Sequence, residues 1–215
     1  MDEAEARAEA GPSRSRPRLF VAVPLVEEAR AAVEGLVEEV RADLRSRQEP
    51  GTADARQRDI RWVRMNGLHL TLRFLGPTPA AEVDAVRTVV AEAARAATPF
   101  EVVITGSGAF PSGMKPRTLW LGITDGRAQL EAVAADVSSK LELLGWPPEE
   151  RPFRGHLTLG RSDGRVDGRA VAQLLDEHAA AFRTSFRADR LVLFESVTGR
   201  GPAVYEPLYE ASFSA

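Results

Sequence analysis

The tetrapeptide His-Leu-Thr-Leu occurs twice, at 69–72 and at 156–159, and takes up two of the three histidines in the chain. Each copy alternates polar and apolar residues, so in a strand the His and Thr side chains share one face while both leucines enter a core. A single copy reads as an ordinary strand whose His meets solvent or a backbone carbonyl. Two copies in the same register, in a chain so poor in histidine, point to two imidazoles and two hydroxyls facing one cleft. Imidazole takes and gives protons near neutral pH, and a repeated H-x-T supplies one ring for each side of a reaction.

A chain of 215 residues is long enough for one sizeable core or for two small, closely packed lobes. Hydrophobic residues make up 44% and charged residues 27%, which is the balance of a soluble globular protein. No stretch approaches the roughly 20 apolar residues of a membrane span, and no membrane role is expected. The absence of cysteine excludes disulfides, a thiolate nucleophile and any cysteine-bearing zinc site, and it fits a cytoplasmic location. A net charge of −3 does not suit a general polyanion binder, so nucleic-acid contact is expected only in a local basic cleft.

Residues 1–17 are rich in Ala, Glu and Arg and lack an apolar core segment, and they read as a disordered tail, not a signal peptide. The folded part, 18–215, is expected to be a single two-lobed domain. It starts with a strand over Arg18–Pro24 and a helix over Val26–Arg45, where Ala29, Val33, Leu36, Val37, Val40 and Leu44 recur at helical spacing. Ser46–Asp59 reads as an exposed loop, followed by strands at 60–63 and 68–75 and an Ala-rich helix over 79–97. Strands at 100–105 and 118–123 flank a loop over 106–117, and a third helix from Gln129 stops at Gly145-Trp146-Pro147-Pro148. The second motif strand, a short helix over 168–178, and strands near 186–196 and 205–213 complete an α+β order. Each half donates one H-x-T strand, and this implies an internal duplication with two lobes facing a central cleft.

Beyond the two motifs, four strings carry a resemblance: Arg18-Leu-Phe-Val-Ala-Val-Pro24, Leu68-His-Leu-Thr-Leu-Arg-Phe-Leu-Gly76, Arg151-Pro-Phe-Arg-Gly-His-Leu-Thr-Leu-Gly-Arg161 and Leu191-Val-Leu-Phe-Glu-Ser196. In this order and spacing the chain resembles bacterial RNA 2′,3′-cyclic phosphodiesterases, the 2′-5′ RNA ligase family of the two-histidine phosphoesterase superfamily. The resemblance implies a bilobal duplicated fold, with two antiparallel sheets flanking the cleft and helices packed outside. It implies metal-independent hydrolysis of an RNA 2′,3′-cyclic phosphate end to a 2′-phosphate, with 2′-5′ ligation as the reverse reaction and no cofactor. Gly155 departs from the proline that family members often carry there.

Such a reaction needs a base on one side of the phosphorus and an acid on the other, and His69 and His156 are the candidates. By resemblance His69 is the acid that protonates the departing O3′ and His156 the base for water; the reverse assignment stays open. Thr71 and Thr158 offer hydroxyl donors to the nonbridging oxygens. Arg161 falls on the opposite face under strict alternation, yet at a strand end its long side chain can reach the phosphate, the role that the resemblance implies. Arg73 shares the His and Thr face of a regular strand, and either lines the cleft or is a solvated arginine at a strand end. Phe110, Lys115 and Arg117 could guide RNA by stacking and charge, although a core plug and solvent-facing cations read as well. Phe20 is a candidate stacking ring or a core residue, and His178 a surface charge partner near a helix end. A monomer is expected, since both lobes complete one site within the chain. The rival classes are a metallohydrolase, disfavoured by the lack of H-x-H, H-E-x-x-H or acidic motif residues; a noncatalytic RNA-end binder; and a two-histidine esterase for small cyclic nucleotides or 2′-5′ linkages.

Overall fold

A computed structural model of the chain describes residues 16–47, 60–162, 168–199 and 202–214. Most of the expected tail (residues 1–15) and most of the expected loop (48–59) lie outside the described residues. Among the described residues nine strands and four α-helices are seen: β1 (Arg18–Pro24), α1 (Glu27–Ser46), β2 (Ile60–Trp62), β3 (His69–Pro77), α2 (Val83–Ala96), β4 (Phe100–Phe110), β5 (Thr118–Ile123), α3 (Arg127–Leu143), β6 (His156–Ser162), α4 (Arg169–Ala179), β7 (Arg183–Ala188), β8 (Arg190–Val197) and β9 (Val204–Ser212). They form two antiparallel sheets, one in the order β3-β1-β8-β9 and the other in the order β2-β6-β5-β4-β7. The architecture is therefore α+β with one motif strand in each sheet.

The amphipathic helices form where the apolar spacing requires them. Ala29, Val33, Leu36, Val37 and Val40 are the buried stripe of α1, and Val86, Val89, Val90, Ala93 and Ala94 that of α2. Helix α1 follows a strand of the first sheet but packs against α4 and β7 of the second. Helix α2 packs on β8 and β9, and α3 against α2 and β3. The two lobes are thus interleaved along the chain, since β2 joins the second sheet before β3 returns to the first, and β8 and β9 return to the first sheet after β7. Leu70, Leu72, Leu157 and Leu159 are all buried, so the apolar half of each motif enters the core as its alternation predicts.

Two expectations need correction. The single strand expected over 186–196 is two strands in different sheets, broken at Asp189, whose carbonyl accepts a hydrogen bond from the Phe213 amide at 2.7 Å. Alternation fails at the break, where the polar residues Asp189 and Arg190 are adjacent and the buried run Leu191-Val192-Leu193 follows. The loop expected over 106–117 starts later, because β4 continues to Phe110 through an irregularity beside Gly106, whose φ of 67° suits a residue without Cβ.

Leu157 is fully buried behind the second motif. Leu157→Ala is expected to lower unfolding free energy by about 2–5 kcal/mol in urea titrations. An unchanged urea midpoint would mean that the motif leucines do not anchor their strand.

Candidate active site

Both motif histidines stand at the first position of their strands, and both rings are held in the same way. Nδ1 of His69 lies 2.7 Å from the carbonyl oxygen of Gly67, and Nδ1 of His156 lies 2.7 Å from that of Arg154. A carbonyl only accepts, so Nδ1 carries the proton in each neutral ring and Nε2 is left as the nitrogen available for proton transfer. A short 3₁₀ turn, Met65–Gly67, turns the Gly67 carbonyl back toward His69. Before His156, Gly155 takes no left-handed conformation, and a Cβ there would meet Ile123, Leu130 and Phe153 at ordinary contact distances of 3.6–3.7 Å.

The two rings, with Thr71, Thr158 and Arg161, line one cleft of about 860 Å³. Arg161 reaches it through a β-bulge. Opposite adjacent Leu119 and Trp120 on β5 stand Gly160 and Thr158, so Leu159 is an extra residue, and the face on which Arg161 lies is shifted by one. Gly160 is required there: a Cβ would come within 2.8 Å of Ile60 on β2. The same bulge recurs in β3, where Val21 and Ala22 oppose Arg73 and Thr71. Its effect is to turn Phe74, not Arg73, toward the cleft. Phe74 is 59% exposed and lines the cleft, whereas Arg73 is 3% exposed and does not.

The remaining candidates fall outside the cleft or lack a free face. Phe20 is 1% exposed, with its ring centroid 4.7 Å from that of His69. It walls the imidazole in and presents no surface on which a base could stack. Phe110 meets His156 edge-on at 5.1 Å and packs against Trp120, supporting the ring from outside the cleft. Lys115 and Arg117 are exposed on the β4–β5 connection and do not line the cleft. His178 sits between α4 and α1, with Nε2 3.3 Å from an Asp43 carboxylate oxygen and Nδ1 3.6 Å from one of Glu39. Cleft residues not singled out from the sequence include Phe74, Arg18, Arg151 and Arg154. The Arg-Pro-Phe-Arg run directly before the second motif was the available signal for the last two. Among the described residues no three His, Cys, Asp or Glu side chains converge as a metal site, and no helix is long and apolar enough to cross a membrane.

The electrostatics of the two rings are alike in direction and unequal in degree. Burial pushes the His69 imidazole down to about 4, opposed by the bond to the Gly67 carbonyl and reinforced by the Arg161 charge. His156 is lowered by the same three influences in the same order, with the Arg154 carbonyl in place of Gly67. The deeper effect at His69 matches its cage of Phe20, Phe194 and Tyr205, whose centroids lie 4.7, 5.7 and 4.8 Å away. Arg161 acts on both rings, as one cation shared by two lobes.

A family model described as the 2′-5′ RNA ligase superfamily matches residues 27–200. The RNA 2′,3′-cyclic phosphodiesterase of Aeropyrum pernix is 30% identical over 153 residues, covering 70% of this chain and 85% of that protein. The protein of the same name from Thermus thermophilus is 33% identical over 152 residues, 67% of this chain and 68% of that one. Among solved structures, TT0787 of Thermus thermophilus superposes with a TM-score of 0.68 at 26% identity, over 91% of this chain and 97% of that one. E. coli LigT in complex with 3′-AMP gives 0.66 at 24% identity, over 93% and 99%, a likeness of fold.

The lowered His69 makes stability depend on pH with a definite sign. An unfolded imidazole takes its proton near 6.5 and the folded His69 only near 4, so the unfolded state binds more protons between these values. Stability is full above about 6.5 and is lost as pH falls toward 4, by up to about 3 kcal/mol from this ring. Chemical denaturation from pH 7 to 4 should show a shallower loss for His69→Gln than for the wild type; identical slopes would contradict a buried neutral His69. From the family model spanning most of its length, and from the duplicated motif strands that meet in one cleft, we conclude that this chain belongs to the 2′-5′ RNA ligase superfamily.

Proposed function

We propose that the protein hydrolyses the 2′,3′-cyclic phosphate end of RNA to a 2′-phosphate by acid-base catalysis at His69 and His156, without a metal. The observation that carries this reading is the pair of identically tethered imidazoles, each with Nε2 free, in one cleft with one shared guanidinium. Cyclic phosphate hydrolysis asks for that arrangement. Water attacks phosphorus in line with the P–O3′ bond; one Nε2 accepts a water proton as the new P–O bond forms. The P–O3′ bond breaks as the other Nε2 gives its proton to O3′. Thr71, Thr158 and Arg161 hold the nonbridging oxygens, where the negative charge collects. With a 5′-hydroxyl in place of water as the attacking group, the same two proton transfers join RNA ends through a 2′-5′ linkage.

RNA, in preference to a mononucleotide, is supported by what surrounds the rings. Arg18, Arg151 and Arg154 are exposed cations on the cleft wall, more than one phosphate needs. The exposed ring of Phe74 offers a face for a base on the His69 side.

Both rings rest neutral near pH 7, and the bound phosphate, an anion, raises the proton affinity of its neighbours. The resting order, with His69 the harder ring to protonate, runs against the assignment of His69 as acid that the resemblance implies. That assignment therefore requires the substrate's charge to lift His69 in the complex. The kcat/KM profile should be a bell centred below 6.5, the ordinary imidazole value, with its alkaline limb at lower pH than that of kcat. Coincident limbs would show that the phosphate does not charge either ring. His69→Ala and His156→Ala should each lower turnover of a cyclic-ended RNA in EDTA by about 10²–10⁴-fold. Full activity of either variant would refute the two-histidine mechanism, and activity that requires added metal would favour a metallohydrolase.

A further inference from the structure

The proton transfers described above make no use of the deepest charge beside the cleft. Arg73 follows Thr71 by two residues, and the bulge that brings Phe74 to the cleft turns Arg73 away from it. Its guanidinium crosses instead to the segment 144–155, which links α3 to β6 without a helix or strand. Nη2 donates to the carbonyl oxygen of Pro147, and Nη1 lies 2.9 Å from a carboxylate oxygen of Glu149. Main-chain bonds from Gly145 and Trp146 back to α3 hold the start of the segment. Beyond them Pro147, Pro148 and Pro152 have no N–H to give, so the segment is poor in ways of holding itself.

What the segment carries makes its position matter. Glu149, Arg151, Pro152, Phe153 and Arg154 form one wall of the cleft, and the Arg154 carbonyl holds Nδ1 of His156. Burying a guanidinium is costly unless it is paired, and an apolar side chain would fill the same space without that cost. The hydrogen bond to Pro147 and the ion pair with Glu149 are what an apolar side chain could not supply. In β6 the matching place in the bulge is taken by Gly160, so the duplication does not repeat the tie.

We propose that Arg73 is a positioning residue that fastens the first motif strand to the loop before the second, and so places His156, Arg151 and Arg154 across the cleft from His69. The part that concerns the two arginines rests on the phosphodiesterase reading; the placement of His156 does not. The chain's three imidazoles allow a direct test by NMR titration, with His178, remote between α1 and α4, as internal reference and Arg161 unchanged as the cation acting on His156. In Arg73→Met the His156 midpoint should rise toward 6.5 while that of His178 stays in place. With cyclic-ended RNA as substrate, KM should rise more than kcat falls. Arg73→Lys, which keeps the charge, should restore part of both effects. A lower melting temperature with His156 and KM at their wild-type values would overturn the proposal and leave Arg73 as core support. If Arg73→Met does not fold, Glu149→Gln decides, since that carboxylate is 48% exposed and outside the core: a raised His156 midpoint supports the tether and an unmoved one overturns it. A displaced His156 in a protein inactive on every cyclic-ended RNA would sustain the tether and count against the phosphodiesterase reading alone.

Discussion

The hydrogen bond from each motif histidine to the carbonyl two residues before it is the interaction on which the site depends. It decides which nitrogen carries the proton, and so which is left for chemistry. It also fixes the plane of each ring against a strand whose leucines are locked in the core, so that ring position is inherited from the sheet and not from a mobile side chain. Two such rings in one cleft are a base and an acid as soon as one proton is shared between them. Burial of each ring and the Arg161 charge lower the proton affinity of both.

Duplication supplied two like strands with the same bulge, and the residues that follow the bulge make them unlike. In both, one extra residue after the Thr re-aims the next side chains, but the side chain brought to the cleft is Arg161 in one lobe and Phe74 in the other. One lobe brings a cation to the cleft and the other an aromatic ring. The residue turned inward differs too: Gly160, which lets β2 approach closely, against Arg73, which reaches over to the opposite lobe's loop. A cleft with two like histidines thus presents two unlike sides to an asymmetric substrate.

The motif strands, the amphipathic helices and the α+β order were legible because burial imposes a period on the sequence, and Leu70, Leu72, Leu157 and Leu159 obey it. His69, Thr71, His156 and Thr158 reached one cleft for the same reason. What alternation could not show was its own interruption. A bulge changes the face of every later residue, and although Gly160 hints at one in β6, nothing local in Leu-Arg-Phe announces it in β3; hence Arg73 was expected on the wrong face and Phe74 was overlooked. The break at Asp189 is marked only by the adjacent polar pair Asp189-Arg190, a slight interruption in an otherwise strand-like run. Phe20 and Phe110 were recognised as aromatic, but whether a ring faces RNA or a histidine depends on a partner distant in the chain.

The central claim is that this two-histidine cleft acts on a cyclic phosphate in a single orientation set by its unlike sides. The most direct test is to treat a short RNA ending in 2′,3′-cyclic phosphate with the pure protein in EDTA and resolve the 2′-phosphate from the 3′-phosphate product. Conversion to the 2′-phosphate alone is the predicted result. A mixture of the two products, or the 3′-phosphate, would contradict the account.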